Sequence, residues 1–110
     1  MPINVLICLL AVIITVPSFS QELPRLQQGE PYAKERIKLL RSGWQKIINA
    51  NKNCKQIASG FSFETCYKYQ EHYDCSGSGL CTFQWSNAQQ EQLEVITHGY
   101  NYDVLGWQVK

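Results

Sequence analysis

The chain carries five cysteines, and their number and spacing decide which chemistry they can perform. Cys8 lies in an apolar run near the N-terminus, and the other four are Cys54, Cys66, Cys75 and Cys81. These four are an even number, which in a small exported domain is typical of disulfides, each contributing about 2–4 kcal/mol to stability. Four cysteines allow three pairings. The Gly- and Ser-rich interval between Cys75 and Cys81 can bend enough to join them, so we predict that pair and, by elimination, Cys54 with Cys66.

Zinc is the competing use of the same cysteines. Zinc sites in small domains usually present their cysteines two or four residues apart, whereas the intervals here are eleven, eight and five residues. His72 and His98 each lack a second histidine four residues further on. We therefore expect neither a metal nor another cofactor.

The remaining polar residues do not form a catalytic motif. Ser76 and Ser78 lie in a Gly-Ser stretch, but the chain has neither a Gly-x-Ser-x-Gly elbow nor the Gly-Lys-Ser/Thr end of a phosphate-binding loop. Glu91 and Glu94 would point to opposite faces of a strand. We predict no catalytic residues. The alternative is a small cell-envelope hydrolase with a perturbed carboxylate in a cleft, the candidates being Glu64, Glu71 and Asp74.

The N-terminal twenty residues contain no Asp, Glu, Lys or Arg, and residues 3–16 are almost entirely apolar. Pro17 ends this run, and Ser18 and Ser20 place small residues at the −3 and −1 positions of a cleavage site before Gln21. The pattern predicts a signal peptide over residues 1–20 that is removed together with Cys8, with an uncleaved anchor as the alternative. After cleavage we expect no stable membrane anchor and a periplasmic or secreted location.

The elements that position these residues begin with a helix within residues 29–44, after a flexible lead-in at 21–28. Pro31 suits the first turn of a helix and Gly43 suits its left-handed end. The spacing predicts a buried stripe of Ala33, Ile37, Leu40 and Trp44, with Tyr32, Arg36 and Leu39 beside it. The opposite, solvent-facing side should carry Lys34, Glu35, Lys38 and Arg41.

The last third of the chain alternates apolar and polar residues in three runs, at 80–86, 93–97 and 105–109. Short polar connections join the runs, which indicates an antiparallel meander, and residues 44–48 have the composition of a further strand. The predicted buried faces are Cys81, Phe83 and Trp85; Leu93, Val95 and Thr97; and Leu105, Trp107 and Val109. The fold class is therefore α+β: residues 29–110 form a single two-layer domain with one main helix on an antiparallel sheet of about four strands, stabilised by disulfides.

Residues 60–74 follow neither the spacing of a helix nor the alternation of a strand consistently. We interpret them as an irregular segment with a short extended piece, held by Cys66. The segment is rich in aromatic residues, which form either a buried lid over the core or an exposed binding strip.

The formal net charge is only +1, but basic residues concentrate in residues 25–55 and acidic residues follow from Glu64 onward. The two halves can neutralise each other within the fold, and the alternative is a basic face for an acidic partner. We expect no nucleic-acid binding, because the chain lacks a dense basic stripe interleaved with aromatics.

Two motifs carry a resemblance to known proteins, namely Gly29-x-Pro31-Tyr32-x3-Arg36-x2-Leu39-x3-Gly43-Trp44, and Cys75-Ser-Gly-Ser-Gly-Leu-Cys81-x-Phe83-x-Trp85 with Leu93-x-Val95-x-Thr97-x-Gly99. With them the chain resembles small exported bacterial proteins of unknown function. The helix followed by a strand is similar to the modules of β-lactamase-inhibitor proteins and of the small lipoprotein of the outer-membrane assembly machine. Those modules bind other proteins, so the resemblance implies a binding role and supplies no catalytic residues.

We therefore expect a non-catalytic protein-binding module whose partner is another envelope or extracellular protein. Tyrosine is enriched at such contacts, so the candidate partner-binding residues are the exposed members of the set Tyr67, Tyr69, Tyr73, Tyr100 and Tyr102. An architectural envelope factor without a discrete site is a further alternative.

Overall fold

The computed structural model describes residues 22–48, residue 54 and residues 61–110. The predicted signal peptide lies outside the described residues. The described elements are helices α1 (Tyr32–Arg41) and α2 (Phe61–Lys68) and strands β1 (Gln45–Lys46), β2 (His72–Cys75), β3 (Leu80–Ser86), β4 (Gln92–His98) and β5 (Asp103–Val109).

The strands form one antiparallel sheet in the order β1-β3-β4-β5, and β2 also pairs with β3. β1 lies opposite Trp85 and Ser86, whereas β2 lies opposite residues 81–83, so β1 and β2 follow one another along the same edge of β3. The predicted α+β architecture, with a main helix on an antiparallel sheet and two disulfides, is confirmed.

The buried face of the sheet agrees with the predicted alternation in its two central strands. Six residues point into the core, namely Cys81, Phe83 and Trp85 of β3 and Leu93, Val95 and Thr97 of β4. Their neighbours on the other face, such as Thr82 and Gln84, are partly exposed. One face of the sheet is therefore packed and the other faces solvent.

β5 departs from the predicted face because its pairing with β4 shifts by one residue. Thr97 lies opposite Val104 whereas Ile96 lies opposite Gly106, so Leu105 is the extra residue of a β-bulge. As a result Val104 is buried and Leu105 is exposed, contrary to the prediction. Val109, also predicted on the buried face, is 44% exposed, while Trp107 packs against the core as expected.

The buried face of α1 is rotated from the predicted stripe. Tyr32, Glu35 and Leu39 face the core, whereas Ile37 and Leu40 are 47% and 41% exposed. The Tyr32 ring stacks on Phe83 with centroids 3.9 Å apart. Tertiary contacts thus select a face that the apolar spacing does not mark.

Glu35 was expected on the solvent side and is instead buried. Its carboxylate accepts a hydrogen bond of 2.6 Å from the backbone N–H of Gln27, and Lys38 Nζ lies 3.1 Å away. A buried carboxylate is tolerated when its charge is paired, and Lys38 supplies that pairing. Both hydrogen bonds go to Oε1, and Oε2 has no hydrogen-bond partner among the described residues.

Gly43 is the left-handed residue that follows the C-cap of α1, as predicted, and has φ +86°. The Gly43 N–H donates to Leu40 O and the Trp44 N–H donates to Leu39 O, which is the Schellman arrangement for a helix end. Trp44 is thereby directed into the same core as Leu39.

The described part of the predicted lead-in, residues 22–28, is packed against the domain rather than free of it. Leu26 belongs to the hydrophobic core, and Trp44 Nε1 donates to Glu22 O at 3.3 Å. The apolar side chain of Leu26 thus helps to fill the core of the domain that we placed at residues 29–110, and the boundary itself stays a prediction.

The middle segment contains the helix α2, which corrects the prediction of an irregular stretch. Thr65 Oγ1 and the Tyr102 hydroxyl lie 2.9 Å apart, which ties the buried side of α2 to the turn before β5. The disulfide from Cys54 to Cys66 fixes the same helix. Aromatic residues favour strands by propensity, and these tertiary links override that preference.

The structure confirms both predicted disulfides. Cys54 pairs with Cys66, and Cys75 pairs with Cys81. Cys75 and Cys81 also lie directly opposite each other in the β2–β3 ladder, so this disulfide closes the loop 76–79 at its base.

Candidate functional site

Two of the five candidate tyrosines belong to the core. Tyr69 and Tyr102 are 7% and 6% exposed, and their rings meet edge to face with centroids 5.6 Å apart. Tyr69 also packs edge to face on Phe83. These two residues stabilise the packing between the helices and the sheet and are not available to a partner.

The other three candidates lie on the surface. Tyr67, Tyr73 and Tyr100 are 56%, 54% and 82% exposed, respectively. Tyr67 lies on α2, where its ring meets that of Phe63 with centroids 5.2 Å apart. Their role in binding stays a prediction.

Tyr73 forms one wall of a groove on the solvent face of the sheet. The groove has a volume of about 330 Å³ and is lined by Tyr73, Asp74, Cys75, Ser76, Leu80, Thr82 and Glu94. Tyr73 and Leu80 are both exposed and supply apolar walls. The groove therefore offers apolar surface beside two carboxylates, those of Asp74 and Glu94.

Tyr100 lies at the same end of the sheet as this groove. Leu80 pairs with His98, and the Gly99 N–H donates to Gly79 O at 3.2 Å, which places the β4–β5 turn beside the loop 76–79. We call the exposed side chains of Tyr73, Leu80 and Tyr100 the loop-end surface.

The loop beside this surface is held by its own hydrogen bonds. The Ser76 N–H donates to Leu80 O at 2.7 Å, and the Leu80 N–H donates to Ser76 Oγ at 3.1 Å. Gly79 has φ +91°, a conformation that favours glycine. With the disulfide of Cys75 and Cys81 at its base, the loop presents Leu80 in one defined position.

The three carboxylates considered for catalysis occupy different environments. Glu64 is exposed on α2, Asp74 lines the groove, and Glu71 is fully buried. Glu71 accepts hydrogen bonds from Tyr32 Oη at 2.8 Å and from the Arg36 guanidinium. These partners hold Glu71 in a buried ion pair, so the three candidate carboxylates differ in their surroundings.

Glu71 belongs to a buried polar chain that crosses the interface between α1 and the sheet. Trp85 Nε1 donates to Tyr32 Oη at 3.0 Å, and Tyr32 in turn donates to Glu71. Burial raises the pKa of the Tyr32 phenol well above its ordinary value, and the negative charge of Glu71 adds to this effect. The hydrogen bond to Glu71 raises the pKa of the Arg36 guanidinium.

The raised pKa of Tyr32 predicts alkaline destabilisation. Above about pH 10 the unfolded chain loses this phenol proton while the folded protein retains it, so the unfolded state binds fewer protons and the free energy of unfolding falls as pH rises. The free energy of unfolding, measured by urea denaturation between pH 8 and pH 11, should fall as pH rises. Tyr32→Phe should make this slope shallower by up to about 1.4 kcal/mol per pH unit. Tyr100→Phe, which removes a phenol that is 82% exposed, is the matched control. Equal slopes in Tyr32→Phe and wild type would contradict the prediction.

The two histidines lie in different surroundings. His72 is buried, with its ring 6.4 Å from that of Phe83, and His98 is exposed at the end of β4 opposite Asp103. Within residues 22–48, 54 and 61–110, no group of three or more His, Cys, Asp or Glu side chains is arranged to hold a metal ion.

Comparisons of the chain with protein-family models, curated proteins and solved structures found no match. In the part of the chain that the structure describes, no helix is long and apolar enough to span a bilayer. The resemblances drawn from the sequence motifs therefore stay predictions, and the functional argument depends on the surface itself.

Proposed function

We propose that this protein is an exported, non-catalytic module that binds another protein through the loop-end surface. The observation that carries the proposal is the presence of exposed Tyr73, Leu80 and Tyr100 at one end of the sheet, two of them lining a groove and one in the adjacent turn. Tyrosine supplies a large contact area at low conformational cost and is enriched at protein interfaces.

The structure of the loop supports a binding role. Ordering a flexible loop during association lowers affinity, whereas a loop that is already ordered avoids that loss. The disulfide of Cys75 and Cys81 and the two hydrogen bonds between Ser76 and Leu80 order the loop before a partner arrives. Leu80 is thus presented as a fixed apolar anchor beside Tyr73.

The two disulfides place folding outside the reducing cytoplasm. The apolar N-terminus with its small-residue cleavage site supports export by a signal peptide. We propose a periplasmic or secreted location, with an envelope or extracellular protein as the partner.

Capture of proteins from an envelope extract tests the proposed surface. We expect the immobilised oxidised protein to retain a specific protein that Tyr73→Ser/Leu80→Ser releases, with at least a tenfold loss of affinity, because interface anchors typically contribute about 2 kcal/mol or more. The control is Ile37→Ser/Leu40→Ser, which removes two comparably exposed apolar side chains from α1 and should retain the same protein.

Each outcome of this capture experiment bears on the proposal. Retention of the same protein by wild type and by both variants would overturn the loop-end surface as the contact. Retention by the Tyr73→Ser/Leu80→Ser variant but not by the control variant would move the contact to α1. Specific capture of no protein would remove the support for a binding function.

One observation favours a hydrolase as the second candidate, since Asp74 and Glu94 line the same groove. Glu94 is 3.3 Å from Lys110 Nζ, so one of the two carboxylates is paired with a cation directly after β5. A hydrolytic activity that Asp74→Asn abolishes, while the circular dichroism spectrum is unchanged, would favour this candidate over binding.

A further inference from the structure

β5 is the edge strand of the sheet, and among residues 22–48, 54 and 61–110 the neighbours of this edge cover its first part. The Gly29 N–H donates to Val104 O at 2.8 Å, and the Val104 N–H donates to Glu30 O at 2.9 Å. Pro31 forms a bridge with Asp103. The chain just before α1 therefore protects the beginning of β5.

This cover stops at Gly29. Gly29 has φ +84°, and the chain before it turns so that Leu26 enters the core and the Gln27 N–H donates to Glu35. Among the described residues, no backbone hydrogen bond joins residues 22–28 to β5. Within the part of the chain that the structure describes, the second part of the β5 edge therefore lacks the neighbour that the first part has.

The hydrogen-bond pattern identifies the groups along this open edge. The Lys110 N–H donates to Gln92 O at 2.7 Å, so residues 92 and 110 form a hydrogen-bonded pair. The next pair, Leu93 with Val109, and the pair Val95 with Trp107 are then non-hydrogen-bonded pairs of the ladder. Trp107 and Val109 therefore direct their N–H and C=O groups away from β4. Open edges of this kind are templates for pairing with another strand.

We propose that a second copy of this chain pairs with the open edge, β5 against β5 and antiparallel, about a two-fold axis at Gln108. In this register Trp107 lies opposite Val109 of the second copy, and Val109 lies opposite Trp107 of the second copy. Each of these pairs can exchange two N–H···O=C bonds. The two sheets then continue into each other.

The edge is self-complementary in its side chains, which is why the occupant is a copy of the chain. Trp107 and Val109 lie on the core side of β5, so the pairing makes two aromatic–β-branched contacts, a favourable cross-strand combination. On the other side Gln108 faces Gln108 of the second copy, and Lys110 faces Gly106. No like charges lie opposite each other in this register.

The interface is small, so we expect a weak dimer. Sedimentation equilibrium of the oxidised protein from about 10 µM to about 1 mM, the range of weak transient interfaces, should show reversible dimerisation. Gln108→Lys and Gln108→Glu each place two like charges opposite each other at the axis, and each alone should lower the association constant by about fivefold at low salt. An equimolar mixture of the two variants should recover association at or above the wild-type level.

The control is Gln84→Lys, which adds the same charge to the solvent face of β3, away from the edge, and should dimerise like wild type. A wild-type protein that stays monomeric at every concentration would overturn the proposal. So would equal association of Gln108→Lys and Gln84→Lys, or a mixture of the two Gln108 variants that associates no better than each alone. These results do not depend on the loop-end surface, so they are distinguishable from failure of the capture experiment.

Discussion

Arg36→Ala should lower the free energy of unfolding by about 3–5 kcal/mol, because it leaves the fully buried carboxylate of Glu71 without its cation. Among the residues that the structure describes, Tyr32 Oη would remain as a side-chain donor to this group. The substitution also removes the guanidinium from the Tyr69 ring, which lies 5.3 Å away. Urea denaturation at pH 7, monitored by tryptophan fluorescence, measures the loss.

The control for this prediction lies on the same helix. Lys34 forms an ion pair with Glu30 at 3.4 Å, but both side chains are substantially exposed, so Lys34→Ala should cost at most about 0.5 kcal/mol. The double variant Arg36→Met/Glu71→Leu should recover most of the stability lost in Arg36→Ala, because it removes both charges together. Losses of equal size in Arg36→Ala and Lys34→Ala would contradict the assignment of Glu71 as a buried structural partner.

Replacing all four paired cysteines with alanine should lower the free energy of unfolding by about 5 kcal/mol. The two disulfides close loops with sequence separations of 12 and 6, and each is worth about 2–3 kcal/mol by the loop-closure relation. This sum is comparable to the whole stability of a small domain. We therefore expect the four-alanine variant to be at or beyond its unfolding midpoint at 25 °C.

The two disulfides can be separated by paired variants. Cys75→Ala/Cys81→Ala releases the loop beside Leu80, so it should weaken partner capture as well as stability. Cys54→Ala/Cys66→Ala releases α2 and should lower stability by a similar amount with a smaller effect on capture. A four-alanine variant within 1 kcal/mol of wild type, measured by circular dichroism during thermal unfolding, would contradict a stabilising role for the disulfides.

The sequence predicts correctly those features that depend on local pattern. β3 and β4 alternate strictly because one face of each strand is buried, so Phe83 and Val95 can be assigned to the core without knowledge of the fold. Gly43 marks the end of α1 because few other residues adopt its positive φ. The short Gly- and Ser-rich interval between Cys75 and Cys81 predicts their disulfide in the same way.

The errors lie where distant residues decide the outcome. The face of α1 is set by Glu71, which lies far along the chain and binds Tyr32 and Arg36, and by Gln27, which binds Glu35. The helix over Phe61–Lys68 is favoured by its link to Tyr102 and by a disulfide, neither of which is a local signal.

The exposure of the candidate tyrosines also depends on distant residues. Tyr67 and Tyr69 are two positions apart on or beside α2, yet one is exposed and the other is in the core. Tyr100 and Tyr102 differ in the same manner within one turn. Composition identifies tyrosine as the residue type suited to binding, but only the packing determines which side chains can reach a partner.

The account as a whole depends on export followed by formation of both disulfides, because these order the loop beside the groove and anchor α2. The most direct test is mass spectrometry of protein recovered without reductant, alkylated under denaturing conditions and digested with trypsin. We expect a chain that begins at Gln21, no alkylated cysteine, one linked peptide pair that joins Cys54 to Cys66, and a single peptide of residues 69–110 that carries the Cys75–Cys81 disulfide as an internal link. Four alkylated cysteines, or a chain that retains residues 1–20 in the cytoplasm, would contradict the account.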